Sequence, residues 1–225
     1  ALAAEMDDPA PACFLLANSR SLPEARAAAL ARATGEALRA AGARAGKPFV
    51  AVSRSDSTLR GHFPAEVEAL AQGLGIPDAP IVLCPFFAAG GRVTEGDVHY
   101  VVDGDRRVPA GETEFARDAA FGYRSSNLRD WVVEKSGGAI ARDRTASIDL
   151  ETVRRGPDAV ATRLGELPPN CRVVVVNALT RDDVAAFAAG LEIAEAAGRR
   201  FVCRSAADLA AARAGIAPRP PLDPA

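Results

Sequence analysis

Short apolar, β-branched runs alternate along this chain with longer alanine-rich runs of helical period. Five runs read as strands: "ACFLLAN" (12–18), "KPFVAVS" (47–53), "PIVLCPFF" (80–87), "CRVVVVNA" (171–178) and "RRFVCRS" (199–205). Most are near-continuous rather than alternating, as expected for strands covered on both faces. Between them lie helices. In "SLPEARAAALARATGEALRAAG", Ser21 is expected as N-cap, with Pro23 in the first turn and Glu24 completing an S-x-x-E capping box. "PAEVEALAQGLG" places Val67, Leu70, Ala71 and Leu74 on one face. "NLRDWVVEKSGG" is a helix capped by Asn127 or a preceding serine, with Gly137 beyond its end. "TRDDVAAFAAGLEIAEAAG" and "AADLAAARAG" are two more. In the middle, "VHYVVDGDRRVPA" is a hairpin pattern around Asp103-Gly104, a dipeptide suited to a type I′ turn. The alternation predicts an α/β fold: a mainly parallel sheet with helices on both faces and a central β-hairpin insertion.

Composition narrows the function classes. A length of 225 residues suits one large domain or one and a half, and 48% hydrophobic content is ordinary for a globular protein with a real core. Net charge is −2, which does not suggest a nucleic-acid or membrane-surface partner. No apolar run approaches the roughly 18–20 residues that a membrane span requires. Cys13, Cys84, Cys171 and Cys203 are far apart, form no C-x-x-C, and each sits in or beside an apolar run. They read as buried free thiols in a reducing cytoplasm, and no secretory signal opens the chain. Both ends read as cut: Ala1 stands where an initiator Met would, and "GIAPRPPLDPA" closes the chain as a Pro-rich tail or linker.

In open α/β sheets, ligands bind outside the carboxyl ends of the strands. Three polar segments leave strand ends here: "NSR" (18–20), "SRSDSTLRG" (53–61) and "PFFAAGGRVTEG" (85–96). The second has the parts of an anion and polyol site. Arg60 can hold a carboxylate bidentately, and Ser57 and Thr58 can exchange hydrogen bonds with hydroxyls. Asp56 can accept from a hydroxyl, Gly61 lets backbone approach closely, and the helix that follows offers free N–H groups. A capped loop with surface ion pairs explains the same residues. No G-x-x-x-x-G-K-[ST] loop and no helix-opening G-x-G-x-x-G is present, so no nucleotide site is read in this chain. Ser57 lacks a nucleophile elbow or a base. Two histidines, His62 and His99, are too few for a His-based metal site, and His99 reads as structural. Trp131 reads as packing, and "TRDD" as helix N-terminal charge.

"SRSDSTLRGHFPAEVEAL" resembles the K-x-D-S-T-L-R-G-N-x-x-x-E signature of the four-carbon acid sugar kinases. In the same order, "LLANSRSL", "CPFFAAGGRVTEGDVHYV", "ETEFARDAAFGYRSSNL", "VVVVNALTRDDVAAFA" and "GRRFVCRSAADLAAARAG" resemble further segments of that family. The resemblance implies an ATP-dependent kinase of acids such as threonate, erythronate or 3-oxo-tetronate. Residues 1–215 would be its sugar-binding N-terminal domain and 216–225 a linker. It puts Asp56, Ser57, Thr58, Arg60 and Gly61 in the sugar pocket, with Ser19, Arg20 and Arg92 as neighbours. The catalytic base stays unassigned. ATP and Mg2+ would belong to a C-terminal nucleotide-binding domain, in cis or on a separate chain, with neither bound by this chain alone. Departures are visible. "EMDDPAP" is not the family's D-D-x-T-G-A motif, so the opening strand is expected to be missing. Arg54 and His62 stand where lysine and asparagine are usual, which could tune substrate choice. A sheet lacking a strand would expose an edge and an apolar face, so the chain is expected to be marginally stable and to form a homodimer or aggregate. Alternatives are a stand-alone small-acid-binding or regulatory module, a non-catalytic remnant, or an unrelated α/β hydrolase or transferase.

Overall fold

A computed structural model describes residues 2–217. Of the expected tail at 216–225, residues 218–225 lie outside the described residues. In chain order the elements are α1 (Leu2–Asp7), α2 (Glu24–Ala45), β1 (Val52–Ser53), α3 (Ala65–Leu74), β2 (Ile81–Cys84), β3 (Arg92–Glu95), β4 (Val98–Asp103), β5 (Arg106–Pro109), α4 (Leu128–Lys135), β6 (Thr145–Ile148), α5 (Leu150–Arg154), α6 (Pro157–Gly165), β7 (Val173–Val176), α7 (Arg181–Ala196), β8 (Val202–Ser205) and α8 (Ala207–Arg213), with short 3-10 turns between some of them.

The main sheet is parallel throughout, in the order β1-β8-β2-β7-β6. Because side chains alternate across a strand, each apolar run feeds two cores. Val82, Cys84, Val174, Val176 and Cys203 point to one face, where Val153, Val160, Leu164, Phe187, Leu191 and Leu209 of α5 to α8 cover them. Ile81, Leu83, Val173, Val175 and Val202 point to the other, against Val67, Leu70 and Ala71 of α3 and Leu128, Trp131 and Val132 of α4. This is the doubly covered α/β fold that the pattern predicts. A smaller antiparallel sheet, β3-β4-β5, is the central insertion.

The caps follow local chemistry in two helices and not in a third. Asn127 accepts from the amides of Arg129 and Asp130 at the start of α4. Thr180 and Asp183 form a reciprocal capping box on α7, which accounts for the acidic "TRDD". The box expected at Ser21 and Glu24 does not form: Pro23 precedes α2 without a side-chain cap, and Ser21 donates to the Asn18 carbonyl instead. Helix α2 itself lies outside α3. Its Gly35 meets Gly73 of α3 so closely that a Cβ on Gly73 would stand 2.2 Å from the Arg32 carbonyl oxygen.

Several further expectations change. Residues 12–18 form no strand; Phe14 is 73% and Leu16 98% exposed. An apolar run becomes a strand only where a neighbour offers hydrogen bonds. "KPFVAVS" contracts to the two residues of β1, an edge strand paired with β8 alone. Phe14, Leu15 and Leu16, together with Phe49 and Val50 just before β1, are exposed apolar side chains. In the β4–β5 turn Asp103 pairs with Arg106, so Gly104 and Asp105 are the central residues. Only Gly104 has positive φ, so the turn is not type I′, which requires it at both. Strand β6, which joins the parallel sheet beside β7, and helices α5 and α6 arise from a stretch where no elements were expected. All four cysteines are free, but Cys13 is exposed, with its segment, rather than buried.

Candidate functional site

A pocket of about 130 Å³ opens at the carboxyl ends of β1 and β2, beside the end of β8. Its lining is Arg54, Asp56, Ser57, Thr58 and Arg60 after β1, Pro85 and Phe87 after β2, Arg92 at the start of β3, and Ala206 after β8. That is where an open parallel sheet leaves a crevice. The size suits a small molecule, well below the several hundred Å³ of a drug-sized site.

The loop from Asp56 to Arg60 is strained and held from several sides. Thr58 (φ 53°) and Leu59 (φ 65°) are both left-handed, a conformation that costs a non-glycine residue roughly 1 kcal/mol or more. Leu59 is fully buried, which anchors the turn. Its amide donates to Asp56 Oδ2 at 3.3 Å, and the Tyr123 hydroxyl donates to the Thr58 carbonyl at 2.9 Å. The Arg60 guanidinium turns back on its own loop, donating from Nε to the Ser57 carbonyl (2.9 Å) and from Nη2 to Ser57 Oγ (3.1 Å). Its Nη1 pairs with Asp118 at 3.3 Å. The backbone amides of Phe121 and Ala120, and then Arg60, hold the Asp118 carboxyl below its ordinary range.

Arg92 reaches the same loop from the small sheet. Nε donates to Thr58 Oγ1 at 2.9 Å, and Nη1 donates to the Gly90 carbonyl. Arg60 and Arg92 both lie over the Phe115 ring, at 4.9 and 4.7 Å. Arg54 is exposed and has no hydrogen bond or ion pair among the described residues. Three guanidiniums thus face one small opening with two hydroxyls, an arrangement that can take a carboxylate at one end and hydroxyls at the other.

Asp56 is buried beneath this surface. Its Oδ1 faces Nη2 of Arg204 at 3.3 Å, both side chains being shut off from solvent. Burial pushes the Asp56 carboxyl above its ordinary range, while the Arg204 guanidinium opposes that rise. Gly61 is not a lining residue. At φ 125° it passes over Arg204, where a Cβ would meet the Ser55 carbonyl at 3.0 Å and the guanidinium at 3.5 Å.

The other sequence candidates lie outside the lining. Ser19 Oγ donates to Glu66 Oε1 at 2.7 Å, next to the first turn of α3, and Arg20 is exposed in a 3-10 turn. Among the described residues, no side chain caps the start of α3. His62 is buried edge-on against Phe121, 4.9 Å between centroids. His99 is fully buried, sharing a 3.0 Å hydrogen bond between Nδ1 and Thr94 Oγ1. Burial, with Arg92 nearby, pushes its pKa down to about 3. Arg204, Asp118 and Phe115 were missed as site residues. Arg204 had a signal: an arginine inside the apolar run "FVCRS" must find a buried partner.

Residues 1–213 match the family described as the sugar-binding N-terminal domain. The chain belongs to this family. Among similar proteins, a D-erythronate kinase of Heliobacterium modesticaldum is 32% identical over 145 residues, 64% of this chain and 31% of its own. A D-threonate kinase of Bordetella bronchiseptica is 34% identical over 199 residues, 88% of this chain and 42% of its own. The chain therefore spans less than half the length of these relatives. A crystal structure of a domain of unknown function from Bordetella bronchiseptica, a domain-swapped dimer with bound citrate, is 34% identical with a TM-score of 0.65, covering 88% of this chain and 43% of that one.

Mg·ATP, which the kinase relatives imply, does not fit the pocket. Its volume is small, no phosphate-cradling glycine loop borders it, and among the described residues no group of three or more His, Cys, Asp or Glu could hold a metal ion. Nor is any helix among the described residues long and apolar enough to cross a membrane.

Proposed function

We propose that this chain is the acid-seating part of an ATP-dependent kinase for four-carbon acid sugars. The observation that carries the reading is the convergence of Arg54, Arg60 and Arg92 with Ser57, Thr58 and Asp56 on one small pocket in a chain of the sugar-binding family. The arginines take the carboxylate. Ser57 and Thr58 hold the hydroxyls, and Asp56 sets their polarity from below. Residues 1–215 act as the binding domain, and the nucleotide comes from a separate domain, in cis or on another chain. Phosphoryl transfer is largely positioning and charge neutralisation, so this half binds and orients substrate while the other brings Mg·ATP. Such an enzyme works in the cytoplasm, where ATP is available. The dimeric Bordetella bronchiseptica structure, together with the exposed Phe14–Leu16 segment and edge β1, supports self-association of this chain as well.

The test is calorimetric titration with D-erythronate, D-threonate and L-threonate, with and without Mg·ATP. One acid is expected to bind, with its affinity unchanged by Mg·ATP. A folded sample that binds none of the three overturns the reading. Mg·ATP binding on its own overturns the division of labour.

A further inference from the structure

We propose that Arg204 is a positioning residue of the pocket: it clamps the Asp56–Arg60 loop from beneath and supplies the counter-charge of Asp56 without touching the ligand. The proposal rests on the acid-site reading above.

Arg204 sits in β8, in register with Ser53 of β1 on one side and Leu83 of β2 on the other, so it lies inside the sheet. Its side chain shares the face of Val202. There its guanidinium carbon lies 5.4 Å from the Phe63 ring centre and 5.7 Å from that of Trp131. The residue is fully buried. A charge in such a place is costly, and an apolar side chain of similar volume would serve packing alone at least as well. What the guanidinium adds is a grip at both ends of one loop. Nη2 donates to Asp56 Oδ1 at 3.3 Å and to the Arg60 carbonyl at 3.1 Å. Between those points lie Ser57 and Thr58, so the clamped segment carries four of the nine lining residues. Gly61 closes the arrangement by crossing the guanidinium where a side chain would crowd the Ser55 carbonyl.

The surrounding charges fit this role. Asp56 and, from α3, Glu66 favour the charged form of Arg204 against the effect of burial. Lys135 of α4 feels its positive charge. Around Asp56 stand Arg92 of β3, Tyr123 and Cys84 of β2, each of which senses its carboxylate. Among these groups only Arg204 pairs directly with Asp56. Removing it leaves Asp56 buried without a counter-charge.

The experiment is a double-mutant cycle of Arg204→Met and Asp56→Asn, with Arg204→Lys alongside. Affinity for the tightest of D-erythronate, D-threonate and L-threonate is measured by calorimetry from pH 5.5 to 8.5. The Asp56 carboxyl is followed by 13C NMR titration without ligand, assigned by its loss in Asp56→Asn. Arg204→Met is expected to weaken binding at least tenfold and to move the Asp56 titration to higher pH. Arg204→Lys recovers part of both. The double variant binds within threefold of Arg204→Met, because the two residues act as one unit. Losses that multiply in the double variant, or an unmoved Asp56 titration, overturn the proposal. If Arg204→Met does not fold, Arg204→Lys carries the test. At least threefold weaker binding with a shifted titration supports the clamp, and wild-type affinity with an unmoved titration overturns it. If the wild-type chain binds no acid, the acid-site reading falls, and the ligand-free titration still decides the Arg204–Asp56 pairing.

Discussion

Replacing Arg60 by Met separates the two things its guanidinium does. Within the protein it makes two hydrogen bonds to Ser57, an ion pair with Asp118 and a stack on Phe115. The ion pair is partly solvent-exposed on both sides and 3.3 Å long, so we assign it only about 0.5 kcal/mol. The stack contributes about 0.5 kcal/mol and the bonds to Ser57 about 0.5–1 kcal/mol together, because the methionine stem keeps some of the packing. The sum is about 1.5–2 kcal/mol. In a chain of 225 residues that lowers Tm by roughly 3–8 °C. Toward an acid ligand the loss is larger. A charge-assisted bond to a carboxylate is worth about 1.5–3 kcal/mol, or roughly 10–150-fold in Kd. Calorimetry on the folded variant, at a temperature well below its Tm, reads the second effect free of the first. A variant that binds the acid within threefold of wild type while losing the predicted stability refutes the assignment of Arg60 to the carboxylate, leaving it a staple of its own loop.

Thr58→Gly removes the left-handed strain at φ 53° and also the hydroxyl that accepts from Arg92, so Tm should hold or rise while acid affinity falls several-fold; a drop in both measurements counts against the strain argument. His99, held neutral down to pH about 3 in the fold, gains its proton near pH 6.5 once unfolded. Its folded pKa is thus depressed, the unfolded state binds the extra proton between these values, and stability is lost as pH falls through that window. Denaturant titrations should show about 1 kcal/mol less unfolding free energy at pH 5 than at pH 6, a slope that His99→Gln abolishes. Gly73→Val drives a side chain into the Arg32 carbonyl at the α2–α3 crossing and should cost about 2–3 kcal/mol in denaturant unfolding, with an unchanged cost in a variant already lacking α2 contacts refuting that origin. Leu16→Lys, at a site 98% exposed beside other apolar side chains, should shift the oligomer population measured by light scattering toward monomer without altering Tm of the monomer; an unchanged distribution removes residues 14–16 from the self-association surface.

The apolar runs at 80–87, 171–178 and 199–205 determined a doubly covered parallel sheet because continuous β-branched runs leave no polar face. The loops that leave β1 and β2 do line the pocket, but arginine, hydroxyl and carboxylate types at a strand's carboxyl end equally make a capped loop with ion pairs, so residue types alone left both readings open. What local pattern could not supply was the partner of each group. The run at 12–18 reads as a strand by composition, yet no neighbour pairs with it, and hydrogen-bond supply is a property of the assembled sheet. "TASI" at 145–148 is too short and mixed to stand out, and becomes β6 because β7 offers it an edge. Ser21 had the right spacing for a cap and was drawn to the Asn18 carbonyl. Ser19 belongs to Glu66 rather than to the pocket, and Gly61 to Arg204, contacts that join positions 47 and more than 140 residues apart. Most consequential is Asp56. Its charge was evident from its letter, but its burial and its pairing with an arginine 148 residues away were set only when β8 came to lie beside β1. Residue types fix what chemistry a site can hold; the order of strands in the sheet decides which of those groups meet.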